Sequence, residues 1–220
     1  MKQLITIKIA ILVFAILLLN SCRQEIFVPD NTDPRLPAYT EKGNQVGGAL
    51  VNNIAWKTNF FTTIDMGWNR SFYFTNYTNS DSITLDLDGS FTEGQYKDIF
   101  LDFTFVLRNI SLNKFEDIEM LNGQTFTLDG IENYVIIRDF EGILKDNVHF
   151  YYGGKGQLEF KTVKKVNYTW PRGNGERYYP LIVAGTFAFK FEKDSINVES
   201  GRFDFEINDD YLDQGLKNGR

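Results

Sequence analysis

The sequence predicts an all-β fold, an antiparallel β-sandwich or open barrel of about ten strands with at most short helices. Three observations carry this. Apolar residues recur with period two over most of the chain, the alternating stretches are short and separated by Gly, Asn and Asp, and no amphipathic helix longer than two turns can be read. Strands without covering helices must bury their apolar faces against another sheet or against themselves.

Taken in order, 48–51 and 54–57 flank Asn52 and Asn53, and because asparagine tolerates positive φ this reads as a tight hairpin. A strand follows at 72–77. In 82–88, Ile83, Leu85 and Leu87 lie on one face, with Thr84, Asp86 and Asp88 on the other. Leu101, Phe103, Phe105 and Leu107 alternate in the same way with Asp102, Thr104, Val106 and Arg108. Further strands are expected at 125–128, 134–138, 148–152 and 157–166, the last two joined by Gly153-Gly154-Lys155-Gly156 as a connection. Phe187, Phe189 and Phe191 form one late face, and Phe203, Phe205 and Ile207 another. The short stretches 112–121 and 209–216 are the helical candidates. No repeat and no second linker interrupts the pattern, so a single domain is placed at 38–211, followed by a polar tail at 212–220.

Composition narrows the function. The 220 residues are 43% hydrophobic, too apolar for a disordered chain, and the single Cys and single His exclude an internal disulfide framework and a multi-histidine metal site. The formal charge of −6 repels nucleic acid. No cofactor is implied.

The N-terminus is the most informative stretch. Lys2 and Lys8 precede an uninterrupted apolar run over 9–19, and Asn20, Ser21 and Cys22 follow. This is the layout of a signal peptide, and the run is too short for the roughly 20 residues that a permanent membrane span needs. Leu19-Asn20-Ser21-Cys22 resembles the lipobox of bacterial lipoproteins, which implies removal of 1–21 and lipidation of Cys22 as the first mature residue. The thiol is the nucleophile that accepts the diacylglyceryl group, and two or three acyl chains anchor a protein firmly where one does so only marginally. Without 1–21, 21 basic residues face 29 acidic ones, a charge of −8. Pro29, Pro34 and Pro37 make 22–37 read as an extended tether.

Tyr39-Thr40-Glu41-Lys42-Gly43-Asn44-Gln45-Val46-Gly47-Gly48 through Val51-Asn52-Asn53-Ile54-Ala55-Trp56 resembles the opening of a large group of uncharacterised Bacteroidota lipoproteins. Gly185-Thr186-Phe187-Ala188-Phe189 with Gly201-Arg202-Phe203-Asp204 resembles the closing hairpin of the same group. Asn53 stands where the group has glycine. The resemblance implies a β-rich lipoprotein of the outer membrane and supplies no catalytic residue. The motif residues read as structural: Gly43 and Gly47 permit turns or close approach, Trp56 fills core volume, and Gly201 allows the turn or bulge that launches the last strand.

Candidate chemistry is sparse. His149 has no assigned nucleophile or carboxylate partner, and no Gly-x-Ser-x-Gly elbow occurs. Asp86-Leu87-Asp88-Gly89 fails calcium-loop spacing, because the twelfth position is Lys97. Carboxylates such as Glu116, Asp117, Glu119, Asp139 and Glu141 carry no distance information. The segment 167–180 stands out: Tyr168, Trp170, Tyr178 and Tyr179 beside Arg172 and Arg177 form the candidate binding site for a glycan or protein ligand. The expected function is that of a lipid-anchored, non-enzymatic binding or structural accessory protein of the envelope, with membrane face undecided. A calycin-like barrel holding a small apolar ligand and a glycan-hydrolysing surface protein are the alternatives. Replacing Cys22 with Ala is expected to move the protein from the membrane fraction to the soluble fraction; retention in the membrane fraction would overturn the lipid-anchor reading.

Overall fold

Thirteen strands are formed among the described residues, which in this computed structural model are 25–58, 71–76, 81–145, 149–171, 175–209 and 212–213. The signal segment, Cys22 and Arg172 lie outside them. The strands are β1 (Val46–Val51), β2 (Ile54–Thr58), β3 (Phe72–Asn76), β4 (Ser82–Phe91), β5 (Phe100–Arg108), β6 (Thr125–Asp129), β7 (Tyr134–Asp139), β8 (Phe150–Lys165), β9 (Trp170–Pro171), β10 (Arg177–Tyr178), β11 (Leu181–Phe191), β12 (Ile196–Ile207) and β13 (Leu212–Asp213).

The architecture is a closed antiparallel barrel rather than the expected sandwich or open barrel. Eight strands run in the order β4-β2-β1-β12-β11-β8-β7-β5, and pairing of β5 with β4 shuts the ring. Register shifts between Gly48 and Leu50, Val135 and Ile136, Ala184 and Gly185, and Phe187 and Phe189 bend the longer strands. Such irregularities increase curl until the sheet edges meet, which removes the exposed edges a sandwich would keep. The additional strands patch the wall. β3 takes the Ile83–Leu87 stretch of β4, beyond the Gly89–Phe91 stretch taken by β2, and β13 adds to β3 in parallel. β6 pairs with β8 beyond the stretch used by β7.

The period-two alternation now has a physical meaning: one face points into the barrel and the other out. The inward face is filled by rings that reach across it. Phe103 and Phe105 on β5 meet Phe187 and Phe189 on β11 at centroid distances of 5.3–5.9 Å. Phe160 on β8 meets Phe74 on β3 at 6.2 Å and Phe203 on β12 at 5.8 Å. Trp56 is fully buried, lies 4.5 Å from Phe103 and donates its indole N–H to the Leu101 carbonyl at 2.7 Å. A 3₁₀ turn over Phe115–Leu121 adds Phe115, Ile118 and Leu121 to the core.

The two motifs that bracket the domain turn out to be one device. Gly185 pairs with Phe203 and Phe187 pairs with Gly201 across β11 and β12, so each ring lies over the glycine of the other strand. A methyl group at Gly185 would come within 2.5 Å of the Phe203 ring and 2.1 Å of a backbone oxygen; one at Gly201 would come within 2.4 Å of Phe187. Gly201 therefore sits inside a continuous β12, beside the bulge at Ser200 (φ 55°), instead of launching a separate strand. Asp204, which follows, is 2% exposed and receives Gly43 N–H at 2.7 Å, Lys42 N–H at 3.2 Å, Asn44 N–H at 3.3 Å and the Thr40 hydroxyl. The positive φ of Gly43 (74°) aims its N–H at that carboxylate.

Other elements differ from the sequence reading. Gly153-Gly154-Lys155-Gly156 is not a connection but the middle of a 16-residue β8. Its glycines admit the Phe191 ring, 2.9 Å from where a Gly154 Cβ would stand, and the backbone at Ala188, 2.1 Å from a Gly156 Cβ. Of 112–121 only the 3₁₀ turn is helical, and of 209–216 the described Leu212 and Asp213 are strand. The expected hairpin at Asn52 and Asn53 is present, with φ of 48° and 66°. Residues 25–37, expected as an extended tether, lie against the barrel. Leu36 is fully buried, Pro29 bridges Pro37, Ile26 N–H donates to the Asn44 carbonyl at 2.9 Å, and Arg202 pairs with Asp30 at 2.6 Å.

Asp204→Ala leaves three backbone N–H groups and a hydroxyl facing a void, and a loss of about 2–4 kcal/mol is expected from orphaned buried donors. Urea unfolding of the variant measures it; a change within about 0.5 kcal/mol, the range of ordinary surface substitutions, would show that the clamp is incidental.

Candidate functional site

On the outer wall, cross-strand register assembles a polar surface from β3, β4, β5, β7 and β8. Asp88, Asp102, Arg138 and Phe150 form one row, each paired with the next. Tyr73, Asp86, Thr104, Ile136 and Tyr152 form the second row, and Thr75, Thr84, Val106 and Tyr134 the third. Period two places all of them on the face opposite the aromatic interior. Together with Ser82 and Arg108, side chains of these rows line a groove of about 500 Å³.

The groove has an apolar rim and a charged floor. Phe150 and Tyr152 are 50% and 66% exposed and lie side by side, with ring centroids 6.3 Å apart and planes tilted by 22°. Asp86 is 6% exposed and accepts from the Thr84 hydroxyl at 2.9 Å and the Thr104 hydroxyl at 2.5 Å. Asp102, also 6% exposed, has Arg138 3.6 Å from its Oδ2. The guanidinium in turn lies 5.6 Å from the Phe140 ring. Asp88 accepts no hydrogen bond among the described residues.

Three carboxylates on adjacent strands, taken out of water, resist ionisation. Burial pushes Asp88 up to about 7, and the charges of Asp102 and Asp86 push in the same direction while Arg138 opposes them. Burial raises Asp102 to about 6, against Arg138 and the Gly89 N–H. Asp86 is raised by burial, against its two threonine donors. Burial and the neighbouring Asp86 and Asp88 raise the Tyr73 phenol, which keeps it protonated and able to donate.

A second groove, of about 380 Å³, lies beside Tyr39, Glu159 and Arg202. Its arginine is already engaged by Asp30 and by the Pro37 carbonyl. The larger groove is therefore the candidate site.

The residues singled out from the sequence are dispersed. Tyr178 is 5% exposed and packs edge-on against Phe115 at 5.7 Å, while Tyr168, Trp170 and Tyr179 are 44%, 42% and 48% exposed. Arg177 is tied to the hydroxyl and carbonyl of Thr169 at 2.6 and 2.9 Å, within a small ribbon of β9 and β10. Arg172 lies outside the described residues. His149 is exposed and its Nδ1 sits 3.1 Å from the Asp139 carbonyl oxygen. Among the acidic candidates, Asp117 caps the 3₁₀ turn by accepting from Asn113 and Lys114 N–H, and Glu119 pairs with Lys165 at 2.7 Å. Among the described residues no group of three or more His, Cys, Asp or Glu could hold a metal ion. No family model, curated protein or solved structure matches the chain.

The groove residues were visible in the sequence only as the wet faces of strands. Their outward phase was legible; their convergence and burial depend on strand order.

A carboxylate whose folded pKa exceeds its unfolded value contributes stability that is complete below about pH 4 and is lost as pH rises through the folded value. Asp86, Asp88 and Asp102 therefore weaken the fold progressively between pH 4 and pH 7. Asp88→Asn is expected to raise stability at pH 8 by about 1 kcal/mol, or about 2–4 °C in melting temperature, and to match the parent near pH 4. Thermal melts from pH 4 to pH 8 test this; parallel curves for the two proteins would overturn it.

Proposed function

We propose that the chain is a lipid-anchored envelope protein of the Bacteroidota lipoprotein group whose barrel binds a hydroxyl-rich ligand, of the glycan class, on its outer wall and without catalysis. The observation that carries the reading is the groove with the Phe150–Tyr152 pair at its rim and Asp86, Thr84, Thr104, Tyr73 and Arg138 along its floor. Exposed flat rings accept the C–H face of a sugar, and a carboxylate, hydroxyls and a guanidinium match its ring of donors and acceptors. Anchoring rests on the lipobox at Cys22, and the outer membrane and the group on the two sequence motifs.

Absence of turnover is part of the proposal. Asp86 is held by two threonine hydroxyls and Asp102 faces Arg138, so two of the three carboxylates are already engaged within the wall. The barrel shape also suits the calycin-like alternative, but an apolar ligand inside would have to displace the Phe103, Phe105, Phe187 and Phe189 rings that meet there.

Calorimetric titration with a panel of polysaccharide fragments tests the reading. Tyr152→Ala and Phe150→Ala are each expected to weaken binding about tenfold, the loss of one stacking contact. Unchanged affinity would place the site elsewhere, and release of reducing ends during the titration would overturn the non-enzymatic reading.

A further inference from the structure

Three apolar side chains stand exposed in succession on the first described stretch: Ile26 at 54%, Phe27 at 38% and Val28 at 46%. The backbone that presents them is fixed. Ile26 N–H donates to the Asn44 carbonyl at 2.9 Å, Ala38 N–H donates to the Val28 carbonyl at 2.6 Å, and Glu25 pairs with Lys57 on β2 at 2.6 Å. The Lys57 ammonium lies 5.6 Å from the Phe27 ring, on the barrel side of the strip. Isolated exposed apolar residues are ordinary, but three in a row on a pinned segment form a strip that water does not favour.

Chain length names the occupant. Three residue steps separate Glu25 from Cys22, and a chain spans at most about 3.3–3.6 Å per residue, so a lipidated Cys22 lies within about 10 Å of Glu25. Acyl chains on that cysteine enter the bilayer at the headgroup boundary. A strip fixed one to three residues further along has no length with which to leave the interface, whose depth is itself about 5–10 Å.

We infer that Ile26, Phe27 and Val28 form a membrane-contact strip which, beside the acyl chains, seats the β1–β2 wall of the barrel on the lipid surface. The inference rests on lipidation of Cys22. Its geometric consequence concerns the groove: β1 and β2 lie four strands from β7 and β8 around an eight-stranded ring, so seating one wall on lipid turns Phe150 and Tyr152 away from it. The lipid contact turns the aromatic rim of the groove outward from the membrane, while the β4 side of its floor, next to β2, lies nearer the lipid.

The test uses the full lipidated protein, purified from membranes and reconstituted in phosphatidylcholine–phosphatidylethanolamine vesicles with and without doxyl-labelled lipid. Cys22 is the only cysteine in the chain and its thiol is consumed by the lipid. A thiol-reactive NBD dye therefore reports a second cysteine alone, placed by Ile26→Cys or by Tyr152→Cys. The expected result is emission shifted to the blue and quenched roughly twofold by doxyl lipid for the dye at position 26, with neither effect at 152. If mass spectrometry shows Cys22 acylated and the dye at 26 is neither shifted nor quenched, the strip does not touch lipid and the inference fails while the anchor stands; quenching at both positions would overturn the outward turn of the rim. If Cys22 carries no acyl chain and the protein stays in solution, the anchor reading fails and this inference falls with it.

Discussion

Asp204 is the constraint on which the rest of the barrel depends. A carboxylate 2% exposed is costly unless its oxygens are satisfied. Three consecutive backbone N–H groups and one hydroxyl from 40–44 satisfy it. Such a ring of donors exists only if the loop folds back on itself, which needs positive φ at Gly43 and a Thr40 hydroxyl that is held by the Asn44 amide at 2.8 Å. The loop then delivers Val46 opposite Asp204 and so sets the register of β1 on β12. With β1 placed, the Asn52–Asn53 turn places β2, and β2 with β3 offers β4 the edge on which the ring closes through β5.

The interior follows from the same pair of motifs. An eight-stranded barrel has room for side chains and little else, and twelve phenylalanines are buried among the described residues, so some positions must give way. The reciprocal pairs of Gly185 with Phe203 and Phe187 with Gly201 solve this within the sheet, each ring occupying the volume its partner lacks. From there the rings of β5 meet those of β11, and Phe160 of β8 meets Phe203 of β12, which makes the interior a packed core. The residues that resemble the lipoprotein motif are therefore explained by packing and by one buried carboxylate, and none of them lines the outer groove.

Much of this was legible. Period two located nearly every strand, because inward and outward faces differ sharply in polarity, and the Asn52–Asn53 turn follows from what asparagine tolerates. Two kinds of feature were hidden. Glycines that make room for a ring read as punctuation, which is why Gly153–Gly156 looked like a connection and the architecture stood undecided between sandwich and open barrel. The groove was hidden for a different reason: Asp86, Thr104, Ile136 and Tyr152 become neighbours only through the register of β4 on β5, β5 on β7 and β7 on β8. The aromatic segment 167–180 drew the eye because it breaks the pattern, yet its Tyr178 is core and its Arg177 is spent on Thr169.

A barrel wall normally keeps its charges in water, so the carboxylates of this wall, Asp86 in the groove and Asp88 and Asp102 beside it, cost stability. Burial disfavours the charged forms of Asp86, Asp88 and Asp102, which weakens the fold near neutral pH. Groups held at a cost on a rigid scaffold are understood as serving a ligand that repays it. The placement agrees with this. The expensive carboxylates, on β4 and β5, share the outer face with Phe150 and Tyr152 of β8, so the cost falls where flat apolar rings also stand in water.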